Sequence, residues 1–184
     1  MSPCIAHFER DVSQAERSAS DVIELSTRHN LPFWLTIGSI LRGWVRSVSG
    51  EPVEGISWIE QGIAEYRTTG STLGLPYFLA LKAEALFAAN RSSEALAAVE
   101  EAEAVAQKCE ARSWSAELHR LRGVFLAALG ADETQIEASF CEAIRIAREQ
   151  KSVLLEKRAE GTFAEYQRQK ESASGERGFR LPIW

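Results

Sequence analysis

The sequence has few of the residues that mark several common classes of protein. Its 184 residues include only three cysteines, one methionine and five prolines. Cys4, Cys109 and Cys141 are odd in number and widely spaced, which favours reduced intracellular thiols over a disulfide framework. No uninterrupted apolar run approaches the roughly 18 residues that a membrane span needs. The sequence therefore predicts no membrane partner.

Positive charge is also scarce, and its distribution excludes a further class of function. The formal net charge is −5, and no five basic residues stand together. A surface that follows nucleic-acid phosphates needs such a basic patch, so no nucleic-acid partner is expected. The N-terminus has neither a charged stretch followed by an apolar one nor a small-residue cleavage site, so we expect no secretory signal and a cytoplasmic location.

The residue patterns that carry common chemistry are missing too. There is no phosphate-binding loop of the form G-x-x-x-x-G-K-S/T and no G-x-G-x-x-G after a strand. His7, His29 and His119 have no second histidine four residues away, and no Cys-x-x-Cys or His-Glu-x-x-His is present. The sequence therefore predicts no catalytic residue, no metal site and no cofactor, and we expect that the protein is not an enzyme.

What the sequence does contain is a strong excess of helix formers. Alanine occurs 26 times, and glutamate outnumbers aspartate 23 to 3. Apolar residues recur at helical spacing, as in Leu118, Leu121 and Phe125. An all-α fold is predicted, with eight helices near residues 10–29, 32–49, 52–69, 75–89, 92–108, 113–129, 133–150 and 152–169.

The helices follow a repeat of 40 residues. Gly50, Asn90 and Gly130 each end an apolar-periodic stretch, and each lies 40 residues from the next. Glycine and asparagine most readily take the left-handed conformation that ends a helix. A helix-start signal follows each of them, including Asp132 with Gln135 at the spacing of a capping box. Small residues recur in phase, first Gly55 and Ala95, then Gly62, Ala102 and Ala143, which predicts close contacts between helices.

Within this repeat, one motif resembles the second half of a tetratricopeptide repeat (TPR). The best match is Glu94-Ala95-Leu96 with Val99 and Ala102, and Glu54-Gly55-Ile56 with Ile59 and Gly62 is next. The resemblance implies antiparallel helix pairs stacked as a TPR-like right-handed superhelical solenoid. The period is 40 residues, whereas the TPR family has about 34, so the helices are expected to be longer, and other helical repeats remain alternatives.

Three segments resemble a more specific group of proteins. PFWLTIGSILRGW, PYFLALKAEAL and WSAELHRLRGVFLAALG are similar to the C-terminal repeats that follow the catalytic domains of bacterial adenylate/guanylate cyclase–AAA ATPase signalling proteins. This resemblance covers roughly residues 20 to 170. It implies a bacterial signalling context, but the repeats are the non-catalytic part of those proteins.

The predicted domain organisation is a single TPR-like helical-repeat domain over residues 1–170 and a flexible C-terminal tail over 171–184. The domain would contain about four helix pairs, of which the first is incomplete because helix 10–29 has no preceding mate. Apolar side chains on this end, such as Phe33 and Trp34, would then be partly uncovered. Either a second copy of the chain, forming a homodimer, or one of the chain's own termini could cover them.

Candidate binding residues come from the first helix of each pair, which in TPR arrays lines a concave groove. The 40-residue offset places Trp44 and Glu84 at equivalent positions, and Tyr77 and Arg120 should face the same groove. Two aromatic residues beside an acid and a base suit an extended peptide or a partner helix. The alternative is that Trp44 and Tyr77 fill the core between pairs, whereas the charged residues are expected to be exposed.

These observations favour a non-enzymatic helical-repeat scaffold that mediates protein-protein interaction, with a protein or peptide partner. The competing interpretation is a small-ligand or peptide sensor, in which the groove closes over its ligand and regulates a partner in trans.

Overall fold

The computed structural model describes His7 and residues 11–172, and every regular element in that part of the chain is helical. Eight α-helices follow one another, and a short 3-10 turn at Arg112–Trp114 precedes the sixth. They are α1 Val12–Arg28, α2 Pro32–Val48, α3 Pro52–Thr68, α4 Leu75–Ala88, α5 Ser92–Lys108, α6 Ser115–Ala128, α7 Glu133–Glu149 and α8 Val153–Ser172. The all-α prediction is confirmed, and all eight predicted helices are present, with ends that differ by a few residues.

Left-handed backbone ends helices at the three positions of the repeat. The φ angles of Gly50, Asn90 and Gly130 are 105°, 60° and 68°. The next residue after each donates its N–H to a carbonyl five residues earlier, as Glu51 does to Arg46 at 3.0 Å. This bond is part of the Schellman motif, which satisfies carbonyls at the end of a helix. The predicted helix ends are therefore confirmed with their physical cause.

The capping box predicted at the start of α7 is not formed. Asp132 does occupy the N-cap, but its side chain accepts no capping hydrogen bond. Its backbone carbonyl instead accepts the N–H of Gln135 at 3.0 Å. The start of α7 is thus fixed by the backbone, and the residue pattern alone overstated the role of the Asp132 side chain.

Helices α2 and α3 show how neighbouring helices pack. A Cβ atom added to Gly43 would lie 2.7 Å from the carbonyl oxygen of Gly55, so the two backbones touch where neither residue has a side chain. Further along, Thr36 of α2 donates to Glu65 of α3 at 3.3 Å. Because a lower position on α2 contacts a higher position on α3, the two helices are antiparallel.

The small residues that recur in the sequence lie at buried contacts, as predicted. Gly55 and Gly62 are buried in α3, and a Cβ on Gly62 would run into the side chain of Ile40. Ala95, Ala102 and Ala143 are each 0% exposed. Larger side chains at these positions would separate packed helices.

The helices group into two compact units, Met1–Arg91 and Ser92–Trp184. In the first unit α1 packs on α2, α2 on α3 and α3 on α4, and α2 also contacts α4. The second unit repeats this scheme, with α5 on α6, α6 on α7, α7 on α8, and α6 also on α8. Each unit is thus a stack of consecutive helices, as in helical-repeat proteins.

The helices form two compact units, and the single domain predicted over residues 1–170 stays a prediction. The C-terminal tail predicted at 171–184 lies outside the described residues from position 173 onward, and residues 171 and 172 belong to α8.

Candidate functional site

The four residues predicted to line a groove are all buried. Trp44 on α2 is 1% exposed, and Tyr77 and Glu84 on α4 are 3% and 0% exposed. Arg120 on α6, in the second unit, is 1% exposed. The expectation that Glu84 and Arg120 would be exposed is therefore wrong, because each charge contacts polar partners inside its own unit. Their role in binding a partner stays a prediction.

Trp44 and Glu84 are in direct contact in the first unit. The indole Nε1–H of Trp44 donates to Oε2 of Glu84 at 2.7 Å. These residues are 40 positions apart and belong to successive first helices, α2 and α4. Two positions that the 40-residue offset makes equivalent are therefore in contact.

His7 completes this cluster, and we call the four side chains of His7, Trp44, Tyr77 and Glu84 the His7 cluster. Nε2 of His7 lies 3.1 Å from the same Glu84 oxygen that accepts from Trp44. The imidazole ring meets the Trp44 ring edge-to-face, at 4.7 Å between centroids and 88° between planes. Its centroid is 5.6 Å from that of Tyr77, at 69°. The imidazole and the indole therefore share one carboxylate oxygen of Glu84, and Tyr77 packs near the imidazole.

Arg120 belongs to a separate cluster in the second unit. Its guanidinium donates two hydrogen bonds to Glu117, from Nη2 to Oε1 at 2.7 Å and from Nε to Oε2 at 3.0 Å. Arg158 of α8 donates to Glu117 Oε1 at 2.8 Å, and Arg120 also donates to Thr162 Oγ1 of α8 at 3.3 Å. We call Glu117, Arg120, Arg158 and Thr162 the Glu117 cluster.

The electrostatics of the Glu117 cluster are set by two arginines around one carboxylate. Burial by itself raises the pKa of Glu117, but the positive charges of Arg120 and Arg158 and their hydrogen bonds outweigh it and lower the pKa from 4.5 to about 2. Glu117 is therefore ionised at neutral pH although its side chain is only 3% exposed. The charged form is held by bidentate, charge-assisted hydrogen bonding.

The two clusters share one structural principle. Trp44 and Glu84 are 40 residues apart, Glu117 and Arg158 are 41 apart, and Arg120 and Thr162 are 42 apart. In each unit these pairs join successive first helices near the repeat spacing. Polar groups therefore link repeat to repeat along the first helices, whereas small residues make the contacts of α3 with α2.

Sequence reasoning missed His7, Glu117, Arg158 and Thr162. The histidine was considered only as a metal ligand, and Glu117 resembles the many glutamates on exposed faces. One signal was available, since adding 41 to Glu117 reaches Arg158, an opposite charge at the equivalent position of the next first helix. His7 stands 77 residues from Glu84, and no repeat spacing connects them.

The second unit also contains an open cleft of about 630 Å³, lined by α5, α6, α7 and the 3-10 turn. Apolar and charged side chains share its wall, the charged ones including Glu103, Arg112, His119 and Arg145. His119 Nδ1 lies 3.6 Å from Glu103 Oε1, and Arg122 donates to the other Glu103 oxygen at 2.8 Å. A cleft of this size and mixed character suits a small molecule.

Two of the three cysteines lie among the described residues. Cys109 and Cys141 are free thiols, and Cys4 lies outside the described residues. Among His7 and residues 11–172, no three or more histidine, cysteine, aspartate or glutamate side chains are grouped so that they could hold a metal ion. Within that same part, no helix combines the length and apolar character that crossing a membrane requires.

Comparison with known proteins finds similarity in fold. No protein-family model matches the chain. The uncharacterized protein R02095 of Rhizobium meliloti (strain 1021) is 24% identical over 160 residues, which are 87% of this chain and 16% of that protein. The crystal structure of the apo form of RapI, a TPR-like helical-repeat protein, matches with a TM-score of 0.59 and 14% identity, over 91% of this chain and 66% of that one. The chain therefore has a TPR-like helical-repeat fold and spans a small part of the longer relative.

Proposed function

We propose that the chain is a non-enzymatic helical-repeat scaffold whose first helices bind a segment of a partner protein or a peptide. The observation that carries this proposal is the row of polar contacts between successive first helices in each unit, Trp44 with Glu84 and Glu117 with Arg158. Helical-repeat proteins bind partners along surfaces that extend across repeats. These groups are buried in the free chain, so a segment that crosses the first helices of one unit would reach them by displacing the side chains that now contact them.

The residue types in this row support recognition of a protein segment. Tryptophan, tyrosine and arginine contribute most often to binding energy in protein interfaces, and Trp44, Tyr77 and Arg120 supply all three. The buried Glu84 carboxylate supplies a strong hydrogen-bond acceptor in surroundings of low dielectric constant. In the free chain Trp44 donates to Glu84, and His7 contacts both. Arg120 contacts Glu117 and Thr162 in the second unit, so in each unit binding exchanges one set of contacts for another.

We also propose that the chain is a module of a larger bacterial signalling protein or works in trans with one, in the cytoplasm. The resemblance of its repeats to those that follow cyclase and AAA-type ATPase domains supports this, as does the match to only 16% of R02095. The neighbouring coding sequence tests the relation, because a cyclase or ATPase domain encoded directly beside the chain is expected.

The binding proposal predicts that random peptides displayed on phage will yield a segment that binds the full chain with a stoichiometry of one. Trp44→Phe keeps an aromatic ring but removes the indole N–H that donates to Glu84 and positions its carboxylate. If the selected peptide uses this carboxylate, it should bind about tenfold more weakly, the usual cost of one hydrogen bond to a charged group. Isothermal titration calorimetry measures both affinities.

The matched control is Trp58→Phe. Trp58 lies on a second helix, α3, where the Arg46 guanidinium stands 5.3 Å from its ring centroid. Peptide affinity should be unchanged in this variant. If no peptide binds at defined stoichiometry, or if Trp58→Phe weakens binding and Trp44→Phe does not, the first helices are not the binding surface. Light scattering on the same samples shows whether a second copy of the chain is itself the partner.

A second candidate function, small-ligand sensing, is favoured by the 630 Å³ cleft of the second unit. A metabolite held there should raise the melting temperature in proportion to its occupancy. The rise should occur for one chemical class and disappear in Arg112→Ala, which removes an exposed cation from the cleft wall. A panel of metabolites that leaves the melting temperature unchanged would remove this candidate.

A further inference from the structure

His7 is buried, and its contacts lie far from it along the sequence. It is 1% exposed and reaches Glu84, 77 residues away, through Nε2. Trp44 and Tyr77 flank its ring at 88° and 69° to the imidazole plane. Among the described residues, side chains from two different first helices, α2 and α4, therefore contact the imidazole.

These three side chains define what the site recognises. A carboxylate oxygen only accepts hydrogen bonds, so the contact with Glu84 is satisfied when His7 Nε2 carries a proton. Aromatic rings at right angles favour a flat ring between them, since the positive edge of one ring meets the negative face of another. A buried carboxylate also favours a positively charged partner. A planar ring with an N–H donor satisfies the first two conditions, and imidazole is such a ring that can also carry a positive charge.

We propose that Trp44, Tyr77 and Glu84 form a binding site for a histidine side chain of a partner segment, and that His7 is the chain's own occupant, which the segment replaces. This inference rests on the proposed function and names the chemistry by which the first unit recognises its partner. An intramolecular group competes with an effective concentration on the order of millimolar. Removal of the His7 ring should therefore tighten binding of a histidine-containing peptide.

The test uses the full chain carrying His7→Ala and two probes, imidazole and the peptide Gly-Gly-His-Gly-Gly amide. Calorimetry and NMR titration should show saturable binding of both probes to this variant and weaker binding, by about tenfold, to the natural chain. Thiazole, a ring of similar size without an N–H donor, should not bind. Adding Glu84→Gln to His7→Ala should weaken imidazole by about tenfold, because the amide removes the charged acceptor.

The control is His29→Ala, which removes an exposed histidine at the end of α1 and should leave both affinities at the level of the natural chain. Absence of saturable imidazole binding to folded His7→Ala overturns the inference. Binding of imidazole without the peptide also overturns it, because the site would then be only a cavity in the core. If His7→Ala does not fold, the natural chain is titrated with both probes over a concentration range ten times higher, where saturable binding of both is expected and its absence overturns the inference.

The result of the imidazole and peptide titrations can be distinguished from the result of the peptide selection that tests the proposed function. Peptides selected on the natural chain that bind the first helices without a histidine, together with a negative result for both probes, would reject the histidine site and keep the scaffold. Failure of every selected peptide to bind the first helices would reject the scaffold itself, whatever imidazole does.

Discussion

Glu117→Gln is expected to lower the free energy of unfolding by about 3–5 kcal/mol, the usual cost of removing one partner from a buried ion pair. The glutamine keeps the size and planarity of the side chain but removes the charge that Arg120 and Arg158 share. Two guanidinium groups, 2% and 13% exposed, would then lack their common counter-charge. Urea denaturation followed by circular dichroism measures the loss.

The matched control is Glu142→Gln, because Glu142 pairs with Arg145 at the same three-residue spacing but at the surface. The exposed fractions there are 38% and 54%, against 3% and 2% for Glu117 and Arg120. Water screens an exposed pair, so Glu142→Gln should lower the free energy of unfolding by only a small fraction of the decrease that Glu117→Gln causes. Equal losses at both sites would contradict the role assigned to burial.

The pH dependence of stability gives an independent check on the same residue. Arg120 and Arg158 hold the pKa of Glu117 at about 2, below the ordinary 4.5, against the opposing effect of burial. A carboxyl with a lowered pKa contributes stability above its unfolded pKa and loses it as the pH falls toward the folded pKa. The free energy of unfolding of the natural chain exceeds that of Glu117→Gln at neutral pH. This excess should therefore fall by roughly 3 kcal/mol between neutral pH and about pH 2. A difference independent of pH would show that Glu117 carries no charge in the folded state.

Gly55→Ala is expected to destabilise the first unit by about 1–3 kcal/mol through overpacking. A Cβ at this position would run into the carbonyl oxygen of Gly43 and the hydroxyl of Ser47, and would lie 2.7 Å from the Ser47 backbone nitrogen. Backbone atoms cannot turn aside as a flexible side chain can, so α2 and α3 must separate. Thermal unfolding monitored by circular dichroism detects the change.

Gly161→Ala provides the control with the opposite sign. Gly161 also lies inside a helix, α8, but a Cβ there would meet no atom within 4 Å. Alanine should then stabilise by about 0.5–1 kcal/mol, because it restricts the unfolded chain more than glycine does. If Gly55→Ala were as stabilising as Gly161→Ala, α2 and α3 would not approach each other closely at Gly55.

The sequence predicted the parts of the fold that depend on local chemistry. Gly50, Asn90 and Gly130 end helices because these residue types adopt positive φ at low cost. Small residues such as Gly62 and Ala102 marked helix contacts because only they fit there. The ends of the helices predicted at 92–108 and 133–150 were also found, but not their left-handed residues, Glu110 and Lys151, whose φ angles are 53° and 55°. Their residue types carry no such signal.

The candidate site was less predictable because its contacts are not local. The 40-residue offset correctly made Trp44 and Glu84 equivalent, but it could not show that equivalent positions touch. A glutamate in a helix has the same sequence signature whether water or two arginines surround it, so Glu117 looked like a surface residue. His7 depends on the path of the chain before α1, which no periodicity describes.

Hydrogen–deuterium exchange of the full chain, with and without a saturating selected peptide, shows whether the first helices bind the partner segment. We expect new protection of backbone amides to be concentrated in first helices, in Pro32–Val48 and Leu75–Ala88 if the peptide occupies the first unit. Protection confined to the second helices Pro52–Thr68, Ser92–Lys108 and Glu133–Glu149 would contradict this expectation.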